Sequence, residues 1–489
     1  MLTDSQIQLF RDRLTESFFI TPQDAEYAEA IKRWNDVGER RAVSYRTPNV
    51  PSTLMLTSLA YQGGIILATS AEDISVAMKL AVDIQLDVAV RGGGHSHFAA
   101  SSTDGGIVID LRNMNNVTIN EATNVVTVQG GALWSDVDET LGQKGLAAVG
   151  GTVNHTGVGG LTLGGGYGWL SGQYGLAIDN LLSAKVVLAE GSIVTASATS
   201  HQDLFWAIRG GGGNFGVAVE FVFQAYEKPD NVFAGMLVYT LDKVPEIAKF
   251  LNGWSSNQQR NECVLLAVVA PPPQNQPAIA VVPFYDGPEH AARDRFSKLI
   301  AIGPIADGTS MLAYSKVNSL LLDGAKHGGR KFQAGTVWEP PFVLAQLDQV
   351  IHEFRGMLEA YPETAGSAVI FQFDHPEKIA SVPHDATAFA NRGNHRLAMV
   401  EVKFGSRDLD DVALKYAKRI VQIIKGWDNG GPGRERGVKI YSNYATGDED
   451  PRQIFGSNFE RLAEIKKVYD PGNVFNKWFP ISPCQRSLG

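Results

Sequence analysis

The sequence predicts an α+β protein with two domains. Glycine-rich segments alternate with short β-like runs through roughly the first 225 residues, and from about Lys228 glycine thins out while longer strands alternate with amphipathic helices. A chain of 489 residues also exceeds the size at which a single hydrophobic core stops growing. We therefore expect one domain up to about residue 227 and a second from about Lys228 onward.

The first region combines an early helix with a series of short strands. Residues 70–73 (SAED) have the residue types of a capping box, and apolar residues at helical spacing follow, which predicts a helix before a strand at Val88–Val90. Glu190 and Gly191 separate two β-like runs and predict a hairpin turn. Three more strands and one helix are predicted at Ile107–Leu111, Val117–Ile119, Val125–Val128 and Trp134–Leu141.

The second region carries longer elements. A strand is predicted at Ile279–Phe284, and amphipathic helices are predicted at Phe342–Tyr361 and Leu409–Trp427. The proline-rich residues 270–277 predict a loop, and the glycine-rich residues 428–434 predict a second strong break. This change of pattern is the basis for expecting a second domain.

The charge and cysteine content exclude several classes of partner. The chain carries 43 basic and 52 acidic residues, a net charge of −9, without a block of like charge, which argues against binding to nucleic acid or to an anionic membrane. The N-terminal residues lack the features of a secretory signal, and no apolar run approaches the roughly 18 residues of a membrane span. We therefore expect an intracellular protein that binds a small organic molecule. The two cysteines, Cys263 and Cys484, predict no structural disulfide.

Two glycine-dense stretches are the strongest functional signal. Gly92 to Gly94 follow a predicted strand, and a second stretch runs from Gly157 to Gly175. Glycine lets a backbone approach a ligand closely but costs ordering entropy, so this density predicts a site for a large ligand. Residues 211–216 (GGGNFG) satisfy the G-x-G-x-x-G fingerprint, yet a helical pattern precedes them and a strand pattern follows, the reverse of a dinucleotide-binding turn. We therefore exclude a Rossmann NAD site.

The remaining interpretation is a set of glycine loops at strand edges. Their backbone N–H groups could bind a pyrophosphate as an anion nest without a helix dipole, and Arg91 could add positive charge. The alternative is that these glycines serve only tight turns.

Six motifs in chain order resemble a known family. They are residues 91–96 (RGGGHS), 110–114 (DLRNM), 129–132 (QGGA), 157–168 (GVGGLTLGGGYG), 203–216 (DLFWAIRGGGGNFG) and 469–475 (YDPGNVF). Together they resemble the FAD-linked oxidases of the vanillyl-alcohol-oxidase type, in particular the berberine-bridge-enzyme-like branch, over nearly the whole chain. The resemblance implies a two-domain PCMH-type FAD-binding fold. Its FAD domain would be residues 1–227, with a core at about 50–227. A substrate domain at 228–437 would be built on an antiparallel sheet flanked by helices, and residues 438–489 would return to the FAD domain.

The resemblance also implies a covalently held FAD. His95 would bond to the C8α methyl of the flavin, because a neutral imidazole is a nucleophile. Many relatives add a second bond from a cysteine four residues before the Gly-Val-Gly-Gly segment, and because Val153 occupies that position here, a single bond is expected. A metal-binding pair of His95 and His97 is the alternative, but no nearby cluster of ligating residues completes it. The residues expected to contact FAD are His95, Arg91, Gly92, Gly93, Gly94, Ser96, Gly151, Thr152, Val153, Thr156, Gly157, Gly160, Leu161, Gly164, Gly166, Tyr167, Gly168, Gly212, Asn214, Phe215, Val219, Asn443 and Asn473.

Two tyrosines and two strand residues are the catalytic candidates. Residues 441–444 (YSNY) resemble the Tyr-x-Asn-Tyr element of alcohol- and sugar-oxidising relatives, in which a tyrosine near flavin N5 takes a proton as hydride leaves; such a base requires a lowered pKa. Tyr444 is preferred over Tyr441, which a core position explains equally well. By the two-residue period of a strand, Gln372 and Asp374 share one face, either a wall of the site or a solvated surface. Either could stand in for the catalytic glutamate of plant alkaloid enzymes.

The expected reaction is an FAD-dependent oxidation. The chain would remove a hydride from a C–OH, C–N or activated C–H bond to flavin N5, with O2 reoxidising the flavin and yielding H2O2. Two alternatives remain open at this stage. One is a dehydrogenase that uses a different electron acceptor, and the other is a flavoprotein that promotes a non-redox cyclisation.

Overall fold

The computed structural model describes residues 2–39, 63–426 and 440–483. The predicted break at residues 428–434 and Cys484 lie outside these residues. The strands are β1 (Phe18–Ile20), β2 (Gly64–Leu67), β3 (Val88–Arg91), β4 (Ile107–Asp110), β5 (Val117–Asn120), β6 (Val125–Gln129), β7 (Leu146–Ala147), β8 (Leu181–Val187), β9 (Ile193–Ser197), β10 (Val217–Gln224), β11 (Tyr226–Glu227), β12 (Val232–Ala234), β13 (Leu237–Tyr239), β14 (Glu262–Val269), β15 (Ala278–Tyr285), β16 (Ala306–Asp307), β17 (Ser310–Leu312), β18 (Arg330–Trp338), β19 (Ala368–Phe373) and β20 (Arg396–Phe404).

The α-helices lie mainly on the outside of the sheets. They are α1 (Asp4–Arg13), α2 (Tyr27–Ala30), α3 (Ala71–Asp83), α4 (Trp134–Gly142), α5 (Val158–Leu163), α6 (Ser171–Tyr174), α7 (Gln202–Ile208), α8 (Val244–Ser255), α9 (Glu289–Ile300), α10 (Tyr314–Val317), α11 (Leu344–Ala360), α12 (Glu377–Ala380), α13 (Asp410–Lys425), α14 (Pro451–Phe455) and α15 (Phe459–Tyr469). Within the three described segments, no helix is both long enough and apolar enough to span a bilayer.

A four-stranded sheet forms the first layer. Its order is β1-β2-β4-β3, with β2, β4 and β3 parallel and α3 connecting β2 to β3. The helix begins at Ser70, whose hydroxyl accepts the N–H of Asp73, but the capping box predicted there is only half formed. The Asp73 carboxylate instead accepts the backbone N–H groups of residues 15–17, which gives it three partners rather than one. Burial alone would raise the pKa of Asp73, but the hydrogen bonds from these three donors outweigh it and lower the pKa to about 2.

A five-stranded antiparallel sheet forms the second layer. Its order is β5-β6-β10-β8-β9, and the predicted hairpin turn joins β8 to β9 through Gly191, which has a φ of 87°. The C-terminal segment packs into the same core, because Ala445, Leu462 and Phe479 are buried with residues of β6 and α4. Lys466 anchors this segment further by donating to the carbonyl oxygens of Asn214 and Phe475.

A nine-stranded antiparallel sheet follows along the chain. Its main path is β16-β13-β15-β14-β19-β20-β18, and β12 and β17 pair beside it. Every second residue of its central strands joins the core formed with α8, α9, α11 and α13, as Leu266 and Phe371 do. The residues between them, such as Leu265 and Ile370, face the opposite side. The predicted α+β class, with an antiparallel sheet flanked by helices, is therefore confirmed, and the free face of this sheet positions the site.

Candidate functional site

A large cavity lies between the glycine segments and the face of the nine-stranded sheet that is turned away from its helices. Its volume is about 1210 Å³. Ligand pockets usually measure about 300–1,000 Å³, so this cavity has room for a large cofactor together with a smaller molecule. Both the N-terminal glycine segments and the C-terminal residues 441–444 line it.

Glycine backbones form one wall of the cavity. Gly93 and Gly157 meet backbone to backbone, and a Cβ added to Gly93 would lie 2.5 Å from the Gly157 Cα atom. Gly160 and Gly213 also line the cavity, and a Cβ added to either meets no atom within 4 Å, because each points into open space. A wall without side chains on this side forms a cradle that fits a large planar ligand.

The description of these segments as loops at strand edges needs a correction. Residues 158–163 form the short helix α5, with Gly157 at its N-cap. The sequence pattern missed this helix because glycine has low helix propensity, and packing against neighbouring backbone overrides that propensity here. The cradle therefore includes one helical turn as well as loops.

The structure brings most of the predicted site residues to this cavity. Those that line it are Gly92, Gly93, Gly94, His95, Ser96, Gly151, Thr152, Val153, Thr156, Gly157, Gly160, Leu161, Tyr167, Gly212, Gln372, Tyr441, Asn443 and Tyr444.

The other predicted residues lie behind the wall. Arg91, Gly164, Gly166, Gly168, Asn214, Phe215, Val219, Asn473 and Asp374 do not line the cavity. Arg91 forms an ion pair of 3.0 Å with the fully buried carboxylate of Asp110. The amide of Asn214 donates to the carbonyl oxygens of Gly211 and Trp478, which ties the C-terminal segment to the glycine turn.

His95 stands at one end of the cavity among aromatic and basic side chains. Its ring stacks on Trp34, with 4.1 Å between ring centroids and 13° between planes. The His95 Nε2 atom lies 3.1 Å from the Nδ1 atom of His155, and the His155 ring in turn packs 4.7 Å from His327. The ammonium of Lys331 lies over the Trp34 ring, 4.5 Å from its centroid. We refer to these five residues as the His95 cluster.

The environment of the His95 cluster keeps its imidazoles neutral. Burial, with the positive potential of His155, His327 and Lys331, holds the pKa of His95 well below 6.5. Burial also lowers the pKa of His155 and of His327. The His97 ring is directed elsewhere, since its Nε2 lies 2.6 Å from the carbonyl oxygen of Ala445, so it does not pair with His95.

Tyr444 stands at another part of the cavity, on a 3₁₀ turn at residues 442–444. The side-chain amide of Gln372 donates a 2.8 Å hydrogen bond to the Tyr444 hydroxyl oxygen. The Tyr441 hydroxyl oxygen accepts two hydrogen bonds, from the backbone N–H of Gly166 and from the Asn443 amide. Because a hydroxyl has two acceptor positions, those of Tyr441 are filled and one of Tyr444 is free.

The electrostatics of these tyrosines contradict the lowered pKa expected of a base. Burial, with the neighbouring Tyr441, raises the pKa of Tyr444 far above 10.0, and the hydrogen bond from Gln372 only partly opposes this. Burial raises the pKa of Tyr441 to about 12. Asp374 lies behind Gln372 and accepts a contact from the Cys263 thiol, and burial raises its pKa to about 6. The solvated strand face considered for Gln372 and Asp374 is wrong, because both are buried.

Sequence reasoning missed a polar group on β18 and β20. Gln333 and Glu401 are register partners in the sheet, and the Gln333 amide donates a 2.6 Å hydrogen bond to the Glu401 carboxylate. Lys403 also pairs with Glu401 at 2.9 Å, and all three residues line the cavity. Strand alternation in the sequence could have placed Glu401 and Lys403 on one face, but not beside Gln333, because pairing between distant strands is not local information. Nothing in the local sequence marks His155 as a neighbour of His95, which lies 60 residues earlier in the chain.

Comparison with known proteins agrees with this geometry. A family model described as FAD binding domain matches residues 63–197, and one described as Berberine and berberine like matches residues 440–481. The FAD-linked oxidoreductase pgmH of Aspergillus terreus is 33% identical over 502 aligned residues, which cover 99% of this chain and 97% of that protein. The chain belongs to the berberine-bridge-enzyme-like FAD-linked oxidoreductases.

Two further members extend the comparison. The (R)-6-hydroxynicotine oxidase of Paenarthrobacter nicotinovorans is 29% identical over 429 residues, 85% of this chain and 90% of that enzyme. The solved structure of BBE-like 1 from Physcomitrella patens shares the fold, with a TM-score of 0.80 at 19% identity, over 98% of this chain and 100% of that one. Family membership makes this FAD-linked oxidoreductase an enzyme with FAD as its cofactor, and the open side of Gly160 and Gly213 fits a flavin.

Proposed function

We propose that this FAD-linked oxidoreductase is an oxidase with the flavin lying between the glycine cradle and the nine-stranded sheet. The observation that carries this proposal is the cavity itself, in which the open sides of Gly160 and Gly213 face a wall that presents Tyr444 and Gln372. The flavin would supply hydride acceptance at N5 and return of the electrons to O2, giving H2O2. In the same scheme residues 1–227 and 438–489 hold FAD, and residues 228–437 form the substrate wall.

We further propose that His95 attaches FAD covalently, as its only covalent bond. The neutral state that burial imposes on the imidazole supports this role, because only the neutral ring has a free lone pair for attack. Stacking on Trp34 restricts the orientation of the ring. Val153 lines the cavity but has no nucleophilic atom, so it offers no second attachment.

Tyr444 is the proposed proton acceptor for the substrate. Its hydroxyl has a free acceptor position and faces the cavity, and Gln372 would stabilise the phenolate by donating to its oxygen. The high pKa of Tyr444 means that this role is favoured only when the proton leaves the substrate together with the hydride.

O2 is the proposed electron acceptor. Relatives named as oxidases, including (R)-6-hydroxynicotine oxidase, support this choice. The substrate is a small organic molecule with a hydroxyl, amine or activated C–H group at the edge that meets Gln372 and Tyr444.

Anaerobic flavin reduction tests the proposal. The purified holoenzyme is mixed, without O2, with a panel of aromatic and aliphatic alcohols, cyclic amines and benzylic compounds, and the visible flavin absorbance is followed. At least one class should bleach the flavin, and admission of air should restore the colour with one H2O2 formed per substrate consumed. Bleaching without reoxidation by air would indicate a dehydrogenase. Substrate turnover with no bleaching and no O2 uptake would indicate a non-redox reaction, and either result would overturn the proposed oxidase.

A further inference from the structure

His155 is a half-buried histidine in contact with the proposed attachment residue. Its Nδ1 atom lies 3.1 Å from the His95 Nε2 atom, and the two rings are nearly parallel, with 26° between their planes. The other nitrogen of His155, Nε2, is buried and has no hydrogen bond of ordinary geometry within the described residues, although the backbone of Ala325 lies near enough to raise the pKa of His155. Buried polar atoms without partners are rare in native proteins, and they call for an explanation when they occur at a site.

The contact between the two rings constrains which nitrogen carries the proton. Only one of the two facing nitrogens can hold a hydrogen in a single hydrogen bond between neutral imidazoles. If His95 Nε2 is the donor, the lone pair of His95 lies on Nδ1, and His155 carries its own hydrogen on Nε2. This arrangement leaves His95 Nδ1 as the nucleophilic atom.

We propose that His155 is a positioning residue for covalent flavin attachment, which holds His95 by its Nε2–H and accepts that proton as the Nδ1–C8α bond forms. This inference rests on the proposed attachment at His95. In net terms the N–H of His95 and one C–H of the flavin methyl group are lost and one N–C bond forms. O2 takes the two electrons and two protons as H2O2. The part that this chain plays is to remove the imidazole proton, since an alkylated imidazole that keeps it would be a buried cation.

The rest of the His95 cluster explains why the proton has to leave His95. Lys331 is buried in the same cluster, and it holds its charge by donating to the carbonyl oxygen of Trp34 at 2.9 Å. A positive charge held on an alkylated His95 would be disfavoured by this ammonium, which already lowers the pKa of His95. Transfer of the proton to His155 moves the charge to a ring that is only partly buried, from which the proton can leave.

The test compares holoenzyme variants by two quantities, total bound flavin and the fraction of that flavin that stays with the acid-precipitated protein. His155→Leu keeps most of the bulk of the side chain but removes its hydrogen-bonding atoms. We expect this variant to bind flavin, but directly after purification the fraction of flavin that stays with the acid-precipitated protein should be at least about tenfold lower than in the wild type. Aerobic incubation should raise that fraction slowly. In His155→Gln a hydrogen-bonding group remains without a proton-accepting ring, and slow attachment is expected there too.

His327→Leu is the matched control. It removes a ring that packs against His155 but forms no hydrogen bond with His95 in the described part of the chain, so its acid-stable fraction should stay close to that of the wild type. Full acid-stable flavin in His155→Leu, formed at the wild-type rate, would overturn the inference and leave the attachment at His95 intact. Absence of acid-stable flavin from the wild type would instead refute the attachment on which the inference rests.

Discussion

At the His95 end of the cavity burial keeps an imidazole neutral, and at the Tyr444 end burial keeps a phenol protonated. In both places a low-polarity environment disfavours the charged form of the side chain, and so the pKa of His95 falls while the pKa of Tyr444 rises. The neutral form is the reactive form of a nucleophilic histidine but the unreactive form of a basic tyrosine. The same desolvation thus assists the chemistry proposed at one end and opposes it at the other.

Two tyrosines on the same turn allow this comparison to be tested by removing one hydroxyl group at a time. Tyr444→Phe removes the hydroxyl with the free acceptor position, and we expect the anaerobic rate of flavin reduction by substrate to fall by about 10² or more. Tyr441→Phe removes a hydroxyl whose acceptor positions are filled by Gly166 and Asn443, so its loss should be below about tenfold, with about 1 kcal/mol lost in stability. Equal effects of the two changes on the reduction rate would argue against Tyr444 as the proton acceptor.

The glycine cradle can be filled to test whether the cofactor lies against it. Gly160→Leu projects a side chain into the cavity, and we expect the flavin content of the purified protein to fall by about 10- to 100-fold, because overpacking costs about 1–3 kcal/mol or more. Gly253→Leu is the control, since Gly253 also has an open Cβ position but lies on the exposed surface of α8. Normal flavin content in Gly160→Leu would place the cofactor elsewhere.

The pH dependence of flavin reduction distinguishes the chemistry proposed for Tyr444 from that proposed for His95. A base must be deprotonated to act, and the pKa of Tyr444 lies above its ordinary value of 10.0, so the reduction rate should rise with pH through the neutral and alkaline range by up to about tenfold per pH unit. Acid-stable flavin should not change over the same range, because His95 is already neutral there. A reduction rate that levels off near neutral pH would assign the proton transfer to another group.

Gln372 should have the smallest of these effects. Gln372→Leu removes the hydrogen bond to the Tyr444 oxygen, worth about 0.5–1.5 kcal/mol, so we expect up to about a tenfold lower reduction rate at fixed pH. In combination with Tyr444→Phe the change should add little, because both variants remove the same interaction. Full additivity, measured by anaerobic stopped-flow reduction, would show that Gln372 acts independently of Tyr444.

The parts of the fold and of the site that could be predicted from the sequence are those that depend on local patterns. The glycine segments, His95 and the turn from Tyr441 to Tyr444 are local patterns, and residues of each of them line the cavity. The hairpin at Gly191 and the strand at residues 217–224 are local in the same sense, and the structure has both. Short-range sequence patterns were therefore sufficient to predict the class of fold and the glycine cradle.

Contacts between distant segments could not be predicted in this way. The pairing of Gln333 with Glu401 depends on the register of two strands, and the contact of His95 with His155 spans 60 residues. The ion pair of Arg91 with Asp110 joins two neighbouring strands, so it could not be recognised from the sequence either. The direction of the Tyr444 pKa likewise depends on burial, which only the packed structure determines.

Peptide mapping of the untreated holoenzyme tests most directly whether one cavity holds the flavin between these two ends. The protein is denatured in acid and digested, and the peptide that contains His95 is analysed by mass spectrometry and by flavin fluorescence. We predict that this peptide carries the added mass of FAD, with the modification on the His95 side chain. An unmodified His95 peptide, with all the flavin released into the acid supernatant or attached to another residue, would contradict the account.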